Sequence, residues 1–212
     1  MRRDAATRAR LLRAGERLFA ERGFRKVTVR EICRDARANV AAINYHFGDK
    51  LGLYREVMRE AIDRMRDTNE AAREAARDGT REDRLRRSIH ILVTRVVSGN
   101  RGTVHRLIQR EVADPTPALD VLVEEGIRPR IDLLAALVAD LIGASPSDPR
   151  VLRSVASIQT QMTAYFPHPI AARLGFSLEP RSAASVKTIA DHIVEFSLAG
   201  VRGLATPSRR HR

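Results

Sequence analysis

Polar and basic side chains are concentrated in residues 35–50, DARANVAAINYHFGDK, among a few apolar residues. An asparagine can form two hydrogen bonds with adenine, and tyrosine, histidine and lysine can bind phosphate oxygens. The same residue types also occur in active sites and in buried polar clusters, so the helices that carry them decide between these alternatives. The side chains in question are Asn39, Asn44, Tyr45, His46 and Lys50.

The positive charge of the chain lies mainly near its start. The net charge is +12, and residues 1–66 contain 17 Lys and Arg against 9 Asp and Glu. Residues 67–206 contain 18 against 17, so this longer part is nearly neutral. A localised excess is typical of a basic module that binds an anionic partner, such as nucleic acid or an acidic membrane surface.

Two helices are predicted before the polar segment. Residues 5–22 carry apolar side chains at helical spacing, and Gly23 is a natural stop just past their end. Thr28 and Glu31 have the spacing of a capping box, in which each side chain bonds the backbone N–H of the other residue. They predict the start of a short second helix over 29–35.

Two further caps predict the next two helices. Asn39 is the expected N-cap of a third helix, VAAINYHF, and Asp49 is the expected N-cap of a fourth. Ile43 and Phe47 are expected to anchor the third helix in the core. Two short capped helices braced by a longer one form a helix-turn-helix, whose outer helix fits the major groove of DNA. The face left uncovered carries Val40, Ala41 and Asn44.

The run RLFAERGFRKVTVREICRDARANVAAINYHFGDKLGLY resembles the N-terminal DNA-binding domain of the tetracycline-repressor (TetR) family of bacterial regulators. The likeness lies in the order of features: a helix ending in ERGF, the start TVREI, the end YHF and a lysine just after it. The form NVAAINYHFGDKLGLY is similar to the CecR/CerR-like branch. ADPTPALDVL and SIQTQMTAYF are more loosely similar to the ligand-binding domain of that branch.

The resemblance implies a set of DNA-contacting residues. Two of them depart from the family pattern, because Arg37 stands where glycine is usual and Asn44 where tyrosine is commoner. A positive φ at Arg37 would cost roughly 1 kcal/mol relative to glycine; otherwise the turn has another shape, or Arg37 reaches a phosphate. The implied phosphate-contacting residues are Thr28, Tyr45, His46 and Lys50, and the base-facing residues are Val40, Ala41 and Asn44. Arg37 and the cap Asn39 complete the predicted DNA-binding set.

The remainder of the chain is also predicted to be helical. A long pattern that ends at residue 141 or 142 is interrupted by Gly126 and Pro129, which predict a kink. We therefore expect an all-α fold. Its predicted parts are a helix-turn-helix domain at 1–50, a larger helical ligand-binding and dimerisation domain at 51–206, and a basic tail at 207–212.

Polar side chains within the apolar helices of the second domain are candidates for a ligand pocket. Each of them can equally be exposed, satisfied in the core or part of a dimer contact. No metal site or cofactor is expected, since the histidine spacings match no metal motif, and Cys33, the only cysteine, is expected to be a small buried hydrophobe. The ligand candidates are His105, Gln109, Gln161 and Tyr165.

These observations predict a cytoplasmic bacterial regulator that represses transcription. It is expected to bind an inverted-repeat operator in double-stranded DNA as a homodimer, joined through helices at 149–166 and 183–204, and to be released by a small-molecule effector. No membrane association is expected, because no apolar run is long enough to span a bilayer. The alternatives are an architectural DNA-binding protein without an effector and, more remotely, a helical enzyme.

Overall fold

The computed structural model describes residues 2–97, 101–166, 173–175 and 182–205, and this part of the chain is helical and contains no strand. The expectation of an all-α fold is confirmed. The helices are α1 (Arg2–Arg22), α2 (Val29–Ala36), α3 (Val40–Phe47), α4 (Lys50–Ala75), α5 (Arg81–Val97), α6 (Arg101–Ala113), α7 (Ala118–Val121), a π-helix (Leu122–Ile127), α8 (Arg128–Ile142), α9 (Pro149–Thr163) and α10 (Ala183–Leu204).

The chain forms two compact units. The first comprises Met1–Met65 and Gly102–Gly126, and the second comprises Arg66–Arg101 and Ile127–Arg212. Helix α4 therefore contributes residues to both units. The division at residue 50 stays a prediction about function, since it separates proposed roles rather than compact units.

The core of the first unit is built from the apolar faces of α1, α2, α3 and α4. Phe19, Ile32, Ile43 and Leu53 are fully buried, and the ring of Phe19 meets that of Tyr54 edge to face. Fully burying a large apolar side chain contributes about 1.5–3 kcal/mol. A few such residues therefore suffice to hold short helices that would not be stable alone.

The core of the second unit is an apolar cluster contributed by α5, α8, α9, α10 and the end of α4. Ala72, Leu92, Leu134, Ile158 and Ile193 represent the five helices in this cluster, and each is fully buried or nearly so. The cluster joins these five helices into a helical bundle.

The expected interruption near Gly126 and Pro129 is confirmed and takes the form of a π-helix. Pro129 has no N–H to donate to the preceding turn and its ring crowds that turn, so the regular α-helical ladder cannot continue. Gly126 is buried against the side chain of Met65, which lies 3.1 Å from where a Cβ would stand. A larger residue at Gly126 would force Met65 to move.

Helix α4 begins at Lys50, directly after the expected cap Asp49, and continues to Ala75. Within the described ranges, none of the helices combines the length and the apolar character that a bilayer-spanning segment requires.

Candidate nucleic-acid interface

Helix α2 begins with the expected capping box. Thr28 Oγ1 accepts a hydrogen bond from Glu31 N at 3.3 Å, and the Glu31 carboxylate accepts one from Thr28 N at 2.8 Å. Arg22 Nη1 lies 2.7 Å from the second oxygen of the same carboxylate. The hydrogen bond from Arg22, followed by those from Thr28, lowers the pKa of Glu31 to about 2. The start of α2 is therefore fixed, and Thr28 itself is exposed.

Arginines of α1 hold the rest of α2. Arg10 Nε donates a hydrogen bond to the backbone carbonyl of Ala36 at 3.0 Å, which satisfies one of the free carbonyls at the helix end. Arg17 forms an ion pair with Asp35. Both arginines are therefore engaged within the first unit.

The turn between α2 and α3 places Arg37 in the left-handed region, with φ 49° and ψ 51°. Its N–H bonds the carbonyls of Cys33 and Arg34, and its side chain is exposed. Arg37 therefore adopts a backbone conformation that favours glycine. The strain is roughly 1 kcal/mol relative to glycine.

Helix α3 is anchored by one side and exposed on the other. Asn39 Oδ1 accepts a hydrogen bond from Ala41 N at 3.1 Å, as expected of an N-cap. Ile43 is fully buried, as predicted, whereas Phe47 is only half-buried, with the guanidinium of Arg8 5.4 Å from its ring centre. The exposed side of α3 carries Val40, Ala41, Asn44 and Tyr45.

Two adjacent aromatic residues of α3 point in different directions. Tyr45 is 76% exposed and extends from the outer face. The side chain of His46 is only 9% exposed, and its Nε2 lies 3.3 Å from Asp4 of α1. Tyr45 is therefore accessible to a partner, while His46 is oriented towards the start of α1.

Lys50 connects α4 to the loop between α1 and α2. Its Nζ donates hydrogen bonds to the carbonyls of Phe24 and Val27 at 3.1 and 3.0 Å, and it lies 4.3 Å from the centre of the Phe24 ring. The side chain is half-buried. Two of its three N–H groups are used inside the unit, and at most one is left for an external anion.

Glu111 of α6 is a buried carboxylate that sequence reasoning missed. It is 1% exposed, one oxygen accepts from Tyr54 Oη, and the other accepts from Thr116 N and Oγ1 at 2.7 and 2.9 Å. Burial and the hydrogen bond to Glu111 raise the pKa of Tyr54. In the sequence, the burial of Glu111 is indicated by its position four residues after Leu107, on the apolar face of α6.

The four ligand-site candidates fall in different units. His105 and Gln109 belong to the first, where Gln109 is exposed. Tyr165 packs against the core of the second, and Gln161 Nε2 lies 3.4 Å from Ser197 Oγ in a shallow groove between α9 and α10. Neither unit brings all four together. No group of metal-ligating side chains occurs among the residues that the structure describes.

Helix-turn-helix geometry with an exposed outer helix agrees with the relatives of this chain. A family model of TetR-family bacterial regulatory proteins matches residues 11–57. A second model, of the C-terminal domain of the HTH-type transcriptional dual regulator CecR, matches residues 81–201. CecR of Shigella flexneri is 27% identical over 164 residues, which cover 73% of each protein.

Experimental structures of similar fold include several regulators. A TetR-family protein of Rhodococcus RHA1 has a TM-score of 0.68 at 20% identity, covering 92% of this chain and 96% of the other. A TetR-family member from Streptomyces coelicolor A3 has a TM-score of 0.67 at 21% identity, covering 90% of each chain. The ketosteroid transcriptional regulator KstR2 of Mycobacterium tuberculosis has a TM-score of 0.66 at 16% identity, covering 91% and 93%.

The matched relatives are transcriptional regulators and not enzymes. The model of the CecR C-terminal domain alone covers more than half of the chain, and the TetR-family model covers the helix-turn-helix. The chain belongs to the TetR family of DNA-binding transcriptional regulators, and within that family to the CecR-like type.

Proposed function

We propose that this regulator is a repressor that binds an inverted-repeat operator as a homodimer and is released by a small-molecule effector. The observation that carries the proposal is the exposed outer face of α3, held from behind by Ile43. A helix presented in this way can enter the major groove, where short side chains at its N-terminal end reach base edges.

The base-reading residues are Val40, Ala41 and Asn44, all exposed on α3. The amide of Asn44 suits the paired donor and acceptor of adenine, and the apolar side chains of Val40 and Ala41 suit a thymine methyl group. These three residues carry the sequence preference of each half-site.

Phosphate contacts surround this reading face. Thr28, Arg37 and Tyr45 are exposed and have groups that bind phosphate oxygens, and the start of α3 at Asn39 adds backbone N–H groups. His46 and Lys50 are also assigned to phosphate in this proposal, although both already have partners within the first unit. A phosphate contact by either residue would therefore be additional to its contacts within the first unit.

The dimer contact is assigned to α9 and α10. Leu152 on α9 and Phe196 and Leu204 on α10 are exposed apolar side chains, and Gly200 lies beside Phe196 in the groove between the two helices. Two copies of this helix pair can form a four-helix bundle, in which the same patch of each subunit contacts the other. In such a dimer, the two α3 helices can enter successive major grooves on one face of the DNA.

Release by the effector requires only a difference in affinity. A ligand that binds a conformer with wrongly spaced heads a few kcal/mol more tightly than the DNA-binding conformer shifts the population away from the operator. Helix α4 has residues in both units and is the element proposed to transmit the change.

The test starts from fragments of the host genome that the protein selects, with binding measured by fluorescence anisotropy. Asn44→Ala should change the preference at one base position in each half-site by about 1–3 kcal/mol. Gln109→Ala, which removes an exposed amide from α6, is the matched control and should leave the preference unchanged. An identical preference profile for Asn44→Ala would remove Asn44 from the readout, and the absence of any enriched fragment would refute operator binding.

A further inference from the structure

Arg130 is a buried basic residue in the second unit. It is 8% exposed and belongs to the buried face of α8, four residues before Leu134 and eight before Val138. Its place in the apolar stripe is unusual, because arginine is almost never fully buried without a partner.

No partner for Arg130 is found among the described residues. Its Nε is inaccessible to solvent and has no hydrogen bond, and no carboxylate of the described residues forms an ion pair with the guanidinium. Burial lowers the pKa of Arg130 to about 10, so the group still carries its charge at neutral pH. A buried charge without a counter-charge is costly, and removing it should be favourable.

Two further buried polar atoms of the second unit have no partner among the described residues. They are Thr94 Oγ1 on α5 and Gln159 Oε1 on α9. A helical threonine commonly bonds a carbonyl one turn back, as Thr160 does with Ala156 at 2.9 Å. Thr94 makes no such bond, so its hydroxyl is available to a ligand.

The order of the helices brings these atoms to one end of the bundle. Arg84 near the start of α5 lies 3.2 Å from Asp140 near the end of α8, and the two helices pack together, so they run in opposite directions. Thr94 is ten residues after Arg84 and Arg130 is ten residues before Asp140. Both therefore lie at about the same level.

Gln159 lies at the same end, on a second neighbour of α8. Helices α8 and α9 are joined by the short connection 143–148 and pack against each other, so they are also antiparallel. Gln159 is ten residues into α9, and Arg130 is twelve residues before the end of α8. The difference of two residues is about 3 Å along the helix axis.

We propose that Arg130 binds the carboxylate of a small organic acid that acts as the effector, with the Thr94 hydroxyl as a second donor. Gln159 accepts a hydrogen bond from a neutral polar group of the same ligand. A guanidinium matches the two oxygens of a carboxylate with two parallel hydrogen bonds. The inference rests on the proposed control by an effector and adds its chemical class.

The experiment compares wild type, Arg130→Met and Arg128→Met by thermal unfolding in phosphate-free buffer. Arg128 is an exposed arginine on the same helix and provides the matched control. The probes are benzoate, hexanoate and decanoate, each at millimolar concentration, with benzamide, hexanamide and decanamide as uncharged counterparts. The Tm without probe is recorded for each protein.

We expect at least one acid to raise the Tm of wild type and of Arg128→Met by roughly 5 °C more than its amide. Arg130→Met should show no difference between acid and amide, and its Tm without probe should be above that of wild type. An equal response to every acid and amide in wild type, a retained acid response in Arg130→Met, or a lower Tm of Arg130→Met without probe would each overturn the proposal.

Operator binding is measured separately under the same conditions. If an acid stabilises wild type through Arg130 but leaves DNA affinity unchanged, the result supports carboxylate binding at Arg130 and contradicts release from the operator by that acid. If DNA binding is absent altogether while the stabilisation persists, the repressor proposal fails and the site remains.

Discussion

The two compact units differ in how they accommodate a buried ionisable side chain. In the first, Glu111 is fully buried and accepts hydrogen bonds from one side chain and from both donors of Thr116. In the second, Arg130 is nearly as buried and has no partner among the described residues. A satisfied buried group fixes one conformation, whereas an unsatisfied one is stabilised by whatever supplies the missing partner.

Charged side chains around the DNA-binding helices of the first unit also have partners. Around α2, Arg10, Arg17 and Arg22 are all engaged with that helix, so the reading face on α3 is held in place before DNA arrives. Preorganisation of this kind lowers the cost of ordering a surface on binding. The first unit therefore has the character of a rigid reader, which is the proposed DNA-binding surface formed by α2 and α3. The end of the second unit near Arg130 is the proposed receptor for the effector.

Glu111→Ala should have the largest effect on stability. It leaves Tyr54 Oη and the Thr116 N–H without their acceptor, and we expect a loss of about 3 kcal/mol in the free energy of unfolding. The measurement is urea unfolding followed by circular dichroism. If the free energy of unfolding of Glu111→Ala lay within about 0.5 kcal/mol of the wild-type value, the hydrogen bonds of Glu111 would not stabilise the first unit, and the contrast with Arg130 would not hold.

Two variants serve as references for Glu111→Ala. Glu74→Ala removes an exposed glutamate from α4, which forms a surface ion pair with Arg77, and should change stability by less than about 0.5 kcal/mol. Tyr54→Phe removes one of the three donors and should give a smaller loss than Glu111→Ala, about 1 kcal/mol.

Lys50→Ala tests whether one side chain combines a structural and a DNA-binding role. Loss of the bonds to the Phe24 and Val27 carbonyls should lower the free energy of unfolding by about 1.5 kcal/mol. If Lys50 also contacts phosphate, affinity for all DNA sequences should fall, and the salt slope should decrease by about 1 per contact. Anisotropy titrations at several salt concentrations measure the slope.

Lys26→Ala is the control for Lys50→Ala, since Lys26 is an exposed lysine of the same loop. A lower stability with an unchanged salt slope would assign Lys50 to structure alone. It would also show that the first unit uses this basic residue only to hold the reader together.

Arg37→Gly should stabilise the first unit. Glycine adopts the left-handed φ of this turn without the steric penalty of a Cβ, so we expect a gain of about 1 kcal/mol in the free energy of unfolding. DNA affinity should fall at the same time if the exposed guanidinium contacts a phosphate. Urea unfolding and anisotropy give the two values.

The matched variant for Arg37→Gly is Arg34→Gly on α2. Arg34 is exposed but has helical backbone angles, so glycine there should destabilise by about 1 kcal/mol. If the two variants changed the free energy of unfolding in the same direction, backbone strain at Arg37 would be excluded as the cause of its effect.

Much of the reader could be predicted from local sequence. The capping box at Thr28, the cap at Asn39 and the anchor Ile43 depend on residues within a few positions of each other, and all three are confirmed. Local spacing did not predict the inward direction of His46 or the partners of Lys50. Both depend on distant segments, Asp4 of α1 and the loop after α1, that only the packed fold brings close.

The receptor end was harder to predict for a related reason. Polar residues within apolar helices were identified as candidates, but Arg130 was not among them, although its position one turn before Leu134 places it on the buried face. Burial without a partner is a property of three helices together, since it depends on what α5 and α9 present to α8. A single sequence shows which residues form the apolar face of each helix, but it does not show which side chains of the neighbouring helices lie against that face.

The smallest expected effect is a pH dependence at the start of α2. The bonds from Arg22 and Thr28 lower the pKa of Glu31 from about 4.5 to about 2. A lowered folded-state pKa means that the stabilisation is present above pH 4.5 and is lost as the pH falls towards 2. The difference in stability between wild type and Glu31→Gln should therefore shrink over this range in urea titrations.

Arg22→Met distinguishes the causes of this shift. It removes the largest contribution to the lowered pKa and leaves the capping box, so the loss of stability attributable to Glu31 should be smaller than in wild type and should be complete at a higher pH. A difference between wild type and Glu31→Gln that stays constant from pH 5 to 2 would contradict the assignment. The start of α2 would then owe its order to the cap alone, and the arginines of α1 would contribute less to the rigidity of the reader than their geometry indicates.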